Sequence, residues 1–296
     1  MIFIDGVGIG ENDTSKNPFI KYGFRTFEKF FGSIPHKDNS LLINNSYFLF
    51  PVDPVMGVEG LPQSGTGQVS IFCGINAPEF VGKHFGPFPY STTIPIINEQ
   101  NILKQIKQQD KKVLFANAYP KIFFDYINSG KQRLSVTSLS ARLSGIKLNT
   151  VNEVRKGKAL TAEITNARWK KKLNYNLKQI SPKTAARRLL RLANENHFTL
   201  YEFFLTDHLG HGRIQEEFDE IYNNLDEFLL CILTELNLAD MTLIICSDHG
   251  NIEDLSVKTH TMNSALTITA GKFAKPLFEN IVDLSNIKPA IFKYCK

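Results

Sequence analysis

Short apolar runs, each followed by an acidic residue, recur along the chain. The clearest run covers residues 242–246, which are apolar and partly β-branched and predict a buried strand of a parallel sheet. The chain then turns polar at Asp248 and His249 and reaches Gly250. Because ligands bind at the carboxyl ends of the strands in an open α/β sheet, this stretch is a candidate site. A solvated polar turn after a strand is the alternative.

Two further runs have the same form. Residues 1–4 predict a strand that ends at Asp5, and residues 199–205 predict a strand that leads to Asp207. His211 follows Asp207 by four residues, a spacing that places both side chains on one side of a helical turn. Parallel strands would therefore bring three aspartates to one edge of a sheet.

Helical and strand patterns alternate along the rest of the chain. The predicted helices cover residues 24–31, a segment from about residue 66, 96–108 with Pro95 as its start signal, 136–143, 184–193 and an amphipathic stretch over 214–236. Residues 112–118 and 266–269 predict further strands. This alternation predicts an α/β fold with a mostly parallel central sheet flanked by helices.

The chain changes character beyond residue 81. Residues 83–89 are rich in glycine and proline and predict a crossing between two parts of the protein. We therefore expect residues 83–197 to form a smaller inserted α/β cap domain. Residues 1–82 and 198–296 would then form a discontinuous catalytic core.

Composition narrows the classes of function. With 296 residues, 43% of them hydrophobic and 21% charged, the chain is typical of a soluble globular protein. The net charge of +5 is typical of a protein that binds a small anionic substrate, and equally of one whose basic residues form a surface exposed to water. No basic stripe is interleaved with aromatic residues, which argues against nucleic acid as a partner.

No apolar run reaches about 18 residues and no signal-peptide pattern opens the chain, so we expect a cytoplasmic protein without a membrane partner. The oligomeric state stays open.

Ser64 lies in a polar, glycine-bearing turn ahead of an apolar segment. It would stand at or just before the start of a helix, where unpaired N–H groups and the helix dipole favour an anion. A simple helix cap is the alternative role for a serine at this position. The functional interpretation is a nucleophile whose ionisation is promoted by a metal ion.

Three histidines accompany the three aspartates. His211, His249 and His260, three of only seven histidines in the chain, follow the last two strand ends. Three carboxylates and three imidazoles can hold two divalent ions for displacement at phosphorus. The mixture of nitrogen and oxygen ligands suits zinc or manganese.

Five motifs appear in a familiar order: residues 5–8, 63–68, 207–211, 247–251 and 260–261. With these motifs the chain resembles the alkaline phosphatase superfamily, and within it the branch of cofactor-independent phosphoglycerate mutase and phosphopentomutase. The resemblance covers about residues 1–80 and 198–296 and implies an alkaline-phosphatase-like core. It also implies two divalent metal ions, Mn²⁺ or Zn²⁺. The implied ligands are Asp207, His211 and His260 for one ion, and Asp5, Asp248, His249 and the Ser64 oxygen for the other.

The resemblance further implies a function. We expect a two-metal-dependent phosphatase or phosphomutase that acts on a small phosphorylated metabolite through a phosphoserine at Ser64, with Thr66 as the alternative nucleophile. Gln68 replaces a histidine of the family pattern and is a candidate substrate contact, as are Lys83, His84 and Asn117. The alternative is a catalytically inactive metal-binding regulatory or scaffold protein on the same fold.

Two related activities fit the sequence less well. The insertion lacks the arginine-rich signature expected of a phosphoglycerate mutase, so we set that specific activity aside. A sulfatase is disfavoured because its nucleophile motif, Cys-x-Pro-x-Arg, is missing.

Overall fold

The computed structural model describes residues 1–131 and 133–294. One seven-stranded sheet contains the strands β1 (Ile2–Ile4), β2 (Leu42–Asn44), β3 (Tyr47–Val52), β4 (Val113–Phe115), β5 (Phe198–Phe203), β6 (Thr242–Cys246) and β7 (Ala265–Gly271). Their order across the sheet is β2-β3-β7-β6-β1-β5-β4. The neighbours from β6 to β4 pair in parallel, whereas β7 is antiparallel to both β6 and β3, and β2 is antiparallel to β3. Only β2 and β7 therefore run against the common direction, and the mostly parallel sheet predicted from the sequence is confirmed.

Helices cover both faces of the sheet. They are α1 (Pro18–Tyr22), α2 (Arg25–Phe31), α3 (Ser64–Cys73), α4 (Ala77–Val81), α5 (Ile94–Gln100), α6 (Ile102–Lys107), α7 (Lys121–Asn128), α8 (Val136–Leu143), α9 (Val151–Arg155), α10 (Ala167–Leu173), α11 (Pro182–Asn194), α12 (Leu205–Gly210), α13 (Phe218–Glu235), α14 (Ala274–Asn280) and α15 (Ile287–Tyr294). Three short 3₁₀ helices lie at Ser91–Thr93, Gln215–Glu217 and Leu284–Asn286.

Alternate side chains of the central strands pack into two separate hydrophobic cores, one on each face of the sheet. In β1, Ile2 and Ile4 pack with residues of α2, α11 and α13, while Phe3 between them packs with residues of α3, α8 and α15. The other strands divide in the same way; Tyr201 and Phe203, for example, lie on the α13 side. Burying each such side chain contributes roughly 1.5–3 kcal/mol before the loss of chain entropy. This three-layer packing fixes the strand ends that carry the predicted site.

Most predicted elements are present, but the helix expected over residues 214–236 begins only at Phe218, after the 3₁₀ turn Gln215–Glu217. The helix expected over residues 96–108 is two helices, α5 and α6, separated at Asn101. The backbone of Asn101 is extended and its side chain accepts a hydrogen bond from the Lys104 N–H, so it caps the second helix. Pro95 lies inside the first turn of α5 rather than ahead of it. The hydrophobic pattern continues through the break because both helices bury apolar residues.

The segment 83–197 touches the core at several points. Strand β4 lies within this range and pairs with β5 at the edge of the sheet. Helix α11, near the end of the range, packs Ala185 and Leu189 into the same cluster as α13. The division into a core and a cap at residues 83 and 197 stays a prediction.

Two further properties follow from the described part of the chain. None of its helices combines the length and hydrophobicity that crossing a bilayer requires. Cys73, Cys231 and Cys246 are buried free thiols, and Cys295 lies outside the described residues.

Candidate functional site

One group of possible metal ligands is formed by the ends of β1 and β6. It comprises Asp5, Asp248 and His249, whose ligand atoms lie within 4.8 Å of one another. His249 Nε2 lies 3.4 Å from Asp5 Oδ1 and 3.6 Å from Asp248 Oδ2. All three residues are buried, and Asp248 and His249 are fully so. We call these residues the first trio.

The second trio comprises Asp207, His211 and His260, again with ligand atoms within 4.8 Å of one another. Asp207 is in α12, which begins two residues after the end of β5, and His211 directly follows the last residue of that helix. Asp207 Oδ1 lies 3.2 Å from His211 Nε2 and 3.4 Å from His260 Nε2. The rings of His249 and His260 stack with centroids 3.7 Å apart, so the two trios adjoin.

The three histidines present the same ring nitrogen to the trios. Each Nδ1 lies against a backbone carbonyl: Lys258 O at 2.7 Å from His211, Pro62 O at 2.7 Å from His260, and Gly250 O at 3.3 Å from His249. A carbonyl oxygen only accepts, so Nδ1 carries the hydrogen. Backbone carbonyls hold metal-binding histidines in this way and leave Nε2 free for the ion.

Without a bound cation, burial and the neighbouring groups shift the pKa values of several trio residues. Burial and the neighbouring charges of Asp248 and Asp207 raise the pKa of Asp5 well above its usual value. Burial lowers the pKa of His249, whereas the hydrogen bond to Asp207 raises that of His211. Burial disfavours ionised Asp207 too, but the imidazoles of His211 and His260 beside it outweigh burial and lower the pKa of that carboxyl.

These features fit a pair of divalent ions. His211 Nε2 and His260 Nε2 lie 3.2 Å apart, although both nitrogens are acceptors when Nδ1 carries the hydrogen. Asp5 Oδ1 is buried and accepts no hydrogen bond from the described residues. A cation at each trio would neutralise the clustered carboxylates and satisfy these lone pairs, and mixed nitrogen and oxygen ligands suit manganese or zinc.

Ser64 is the first residue of α3 and faces the first trio. Its Oγ lies 2.9 Å from His249 Nε2, where the imidazole accepts and the hydroxyl donates. The Thr66 N–H donates to Phe85 O and the Gly67 N–H to Gln63 O, which leaves the N–H groups of Ser64 and Gly65 without a partner among the described residues. The helix start thus offers unpaired donors beside the hydroxyl.

Thr66 has a different environment. Its Oγ1 accepts a hydrogen bond from the Phe85 N–H at 3.1 Å and lies 3.3 Å from Gln63 O and 3.4 Å from Phe85 O. The residue has no exposed surface. The Thr66 hydroxyl therefore forms hydrogen bonds with the backbone of Gln63 and Phe85.

Gln68, the departure from the family pattern, lies at the first trio. Its Nε2 is 3.2 Å from Asp248 Oδ2 and 3.4 Å from Asp5 Oδ2, and it donates to both carboxylates. The side chain therefore orients two predicted ligands.

The other predicted substrate contacts lie in different settings. Lys83 is exposed, with Nζ 6.0 Å from the ring centroids of both Phe85 and Tyr90. His84 is partly buried, and its Nε2 donates to Val58 O. Asn117 is buried and clasps the backbone of Glu202 through both its amide nitrogen and its oxygen, so the structure gives it a role in holding β5.

Two buried polar residues near the site were not predicted. Glu202, on β5, accepts a hydrogen bond from Thr137 Oγ1, and burial raises its pKa to about 7. Asn251 Nδ2 donates to Asp207 Oδ1 at 2.8 Å. Glu202 lies within the apolar run at residues 199–205, a setting that could have indicated its burial. Asn251 directly follows the Asp248–Gly250 stretch and is the kind of neighbour that orients ligands.

Comparison with known proteins bears on this geometry. The model of the Metalloenzyme superfamily matches residues 152–295. That range contains Asp207, His211, Asp248, His249 and His260, and it does not extend to Asp5 or Ser64. No curated protein sequence matches the chain.

Solved structures resemble almost the whole chain. The alkaline phosphatase of the Antarctic bacterium TAB5 has 12% identity and a TM-score of 0.52, over 99% of this chain and 96% of that one. A variant of that enzyme with Mg bound in its M3 site gives a TM-score of 0.53 over the same shares and with the same identity. The PH0037 protein of Pyrococcus horikoshii has 15% identity and a TM-score of 0.50, over 93% of this chain and 86% of its own. The fold is alkaline-phosphatase-like.

Proposed function

We propose that this protein is a two-metal-dependent phosphatase or phosphomutase that acts on a small phosphorylated metabolite through a phosphoserine at Ser64. The observation that carries the proposal is the position of the Ser64 hydroxyl, at a helix start and 2.9 Å from His249 Nε2, where two adjoining ligand trios meet. The match to the Metalloenzyme superfamily and the alkaline-phosphatase-like fold support it. The finer placement, in the branch of the phosphomutases, is part of the proposal.

The ligand sets in this proposal are those of the two trios. Asp207, His211 and His260 would hold one ion, and the first trio with the Ser64 oxygen would hold the other. Mn²⁺ or Zn²⁺, when bound, would lower the pKa of the serine hydroxyl and stabilise charge on the phosphoryl oxygens.

The chain itself contributes position and donors. Helix α3 aims the Ser64 oxygen at the trios, and its unpaired N–H groups with the helix dipole would bind phosphoryl oxygens. Gln68 keeps Asp5 and Asp248 oriented through its amide. The segment at Phe85 packs against the first turn of α3, which keeps water from that side of the helix start.

Mass spectrometry of the intact protein tests this proposal. Incubation with Mn²⁺ and a panel of phosphorylated sugars should add one phosphoryl group, which peptide mapping should place on Ser64. Ser64→Ala should abolish it and lower kcat/KM by at least about 10³-fold, or roughly 4 kcal/mol, because the attacking oxygen is gone. Metal binding should survive, since the six side chains of the trios remain.

Thr66→Val is the matched control, because it removes a second hydroxyl in the same helical turn. This variant should keep the phosphoenzyme and some turnover. A phosphopeptide that maps to Thr66, or full activity in Ser64→Ala, would show that the nucleophile is misassigned. A protein that binds metal but never becomes phosphorylated would favour the alternative, a catalytically inactive regulatory or scaffold protein.

A further inference from the structure

Glu253 is a buried carboxylate outside both trios, with 1% of its surface exposed. Its Oε2 accepts hydrogen bonds from the backbone N–H groups of Gly8 at 2.9 Å and Asn251 at 2.7 Å. Its Oε1 accepts from Thr261 Oγ1 at 2.5 Å and Asn263 Nδ2 at 2.9 Å. Four donors thus converge on one carboxylate, with no positively charged partner among the described residues.

The four donors come from the three segments that carry most of the predicted ligands. Gly8 belongs to the loop that follows Asp5, and Asn251 to the loop that follows Asp248 and His249. Thr261 directly follows His260. The Glu253 carboxylate is therefore the point at which these loops are tied together.

The surrounding backbone is shaped to admit this side chain. A Cβ atom at Gly8 would lie 2.6 Å from Glu253 Oε1, and one at Gly250 would lie 2.2 Å from the same oxygen. A Cβ at Gly10 would lie 2.9 Å from Glu253 Cγ. Real Cβ atoms do not approach that closely, so all three positions require glycine. The Glu253 backbone oxygen, 2.8 Å from a Cβ at Gly10, and Thr261 Oγ1, 2.2 Å from one at Gly250, add to this requirement.

Glu253 also acts on the second trio through Asn251. The Asn251 N–H is held by Glu253, and the Asn251 side chain donates to Asp207 Oδ1. Thr261 directly follows His260, and its hydroxyl donates a hydrogen bond to the same carboxylate. Displacement of Glu253 would therefore disturb ligands of both trios.

We infer that Glu253 is a positioning residue that fixes the ligand loops of both metal sites at once. This inference rests on the proposed function only in that the trios bind metal; it requires no particular substrate. Partners of this kind behind the ligands typically change metal affinity by about 10–100-fold when they are replaced.

Titration of the metal-free protein with Co²⁺, followed by visible absorption, measures this role without any need for activity. Glu253→Gln should weaken both binding steps by about tenfold or more, because an amide nitrogen would then face two of the four donors. Adding Asn263→Asp should restore affinity to within about threefold. The oxygen of the introduced glutamine can then take the two backbone N–H groups, while its NH₂ group donates to the introduced aspartate carboxylate.

Asp226→Asn is the matched control. Asp226 is also a buried carboxylate with four donors, from the backbone and side chains of Arg25 and Thr26, but it ties α2 to α13 away from the trios. The Asp226→Asn variant should lose thermal stability and keep the Co²⁺ affinity of the wild type.

Unchanged affinity in Glu253→Gln, loss at one step only, or no recovery in the double variant would overturn the inference. Equal loss in Asp226→Asn would also overturn it, because general destabilisation would then explain the effect. A wild-type protein that binds no Co²⁺ would instead remove the proposed function itself, and this inference with it.

Discussion

At the scale of single residues, Glu202 is a carboxyl that is buried without a positively charged partner among the described residues. Glu202 has only 4% of its surface exposed, and its described side-chain partner is the neutral hydroxyl of Thr137. Burial is the main cause of its raised pKa, to about 7, and the negative charge of Asp248 adds to it. An ionised Glu202 therefore opposes folding.

The pH dependence of stability should show this effect. The folded pKa, about 7, lies above the unfolded value of 4.5, so the contribution of Glu202 is fully present below pH 4.5 and is lost as the pH rises through 7. Up to about 3 kcal/mol is involved. Glu202→Gln should therefore be more stable than wild type at pH 8, by an amount that disappears towards pH 5.

Urea denaturation in the presence of a chelator measures both proteins in the metal-free state. The Gln side chain can still accept from Thr137, which keeps the comparison close. If Glu202→Gln were equally destabilised at both pH values, the buried glutamate would not be the source of the pH dependence.

The sequence indicated the candidate ligands but not the residues that hold those ligands in place. Asp5, Asp207 and Asp248 each follow an apolar run, so the sequence pattern was enough to predict that they converge. Glu253 lies in a polar loop and looks like a solvated acid in sequence. Three of its donors, Asn251, Thr261 and Asn263, lie within ten residues of it in the chain. The fourth, Gly8, is 245 residues away, and only the fold brings it to the carboxylate.

At the scale of elements, the start of helix α3 depends on close backbone packing. The Phe85 carbonyl accepts the Thr66 N–H at 2.9 Å. A Cβ atom at Gly65 would lie 2.2 Å from Phe88 O and 2.6 Å from Phe85 O, both of which are backbone atoms. The segment 85–88 can therefore reach the helix only because residue 65 is glycine.

Gly65→Ala should separate the segment from the helix. Alanine normally favours a helix by up to about 1 kcal/mol over glycine, but here the clash should outweigh that gain and destabilise the protein by about 1–3 kcal/mol. Urea denaturation measures the stability, and limited proteolysis within residues 83–89 reports the release of the segment.

Gly67→Ala gives a graded comparison in the same helical turn. Its added Cβ would have Asp248 Cβ, at 3.1 Å, as its nearest atom. It should cost less stability than Gly65→Ala and should not expose residues 83–89 to protease. A Gly65→Ala protein as stable as wild type would contradict the packing described here.

Elements with strong periodicity were predictable, and elements defined by local exceptions were not. Strand β6 has the predicted bounds because its apolar run is continuous and ends at a polar stretch. Helix α8 has them because Val136, Leu139 and Leu143 recur at helical spacing. The break at Asn101 was missed because a single capping side chain sets it within a continuous hydrophobic pattern. The hairpin of β2 and β3 was also missed, since Pro51 lies within the second strand and argues against one.

At the scale of the whole molecule, the sheet gathers distant parts of the chain at one edge. Strands β6, β1 and β5 are neighbours in the sheet and deliver the three aspartates side by side. The architecture follows from alternation of strands and helices and was predictable. The predicted cap was harder to bound, since β4 and α11 lie within residues 83–197 and also pack with the core.

The two-metal centre is the central claim, and metal content tests it most directly. Protein saturated with Mn²⁺ or Zn²⁺, freed of unbound ions and examined by elemental analysis should hold about two ions per chain, one for each trio. Replacing His211 or His260 with alanine should leave about one ion, as should replacing His249. Wild-type protein that retains no transition metal under saturating conditions, or that retains magnesium alone, would contradict the account.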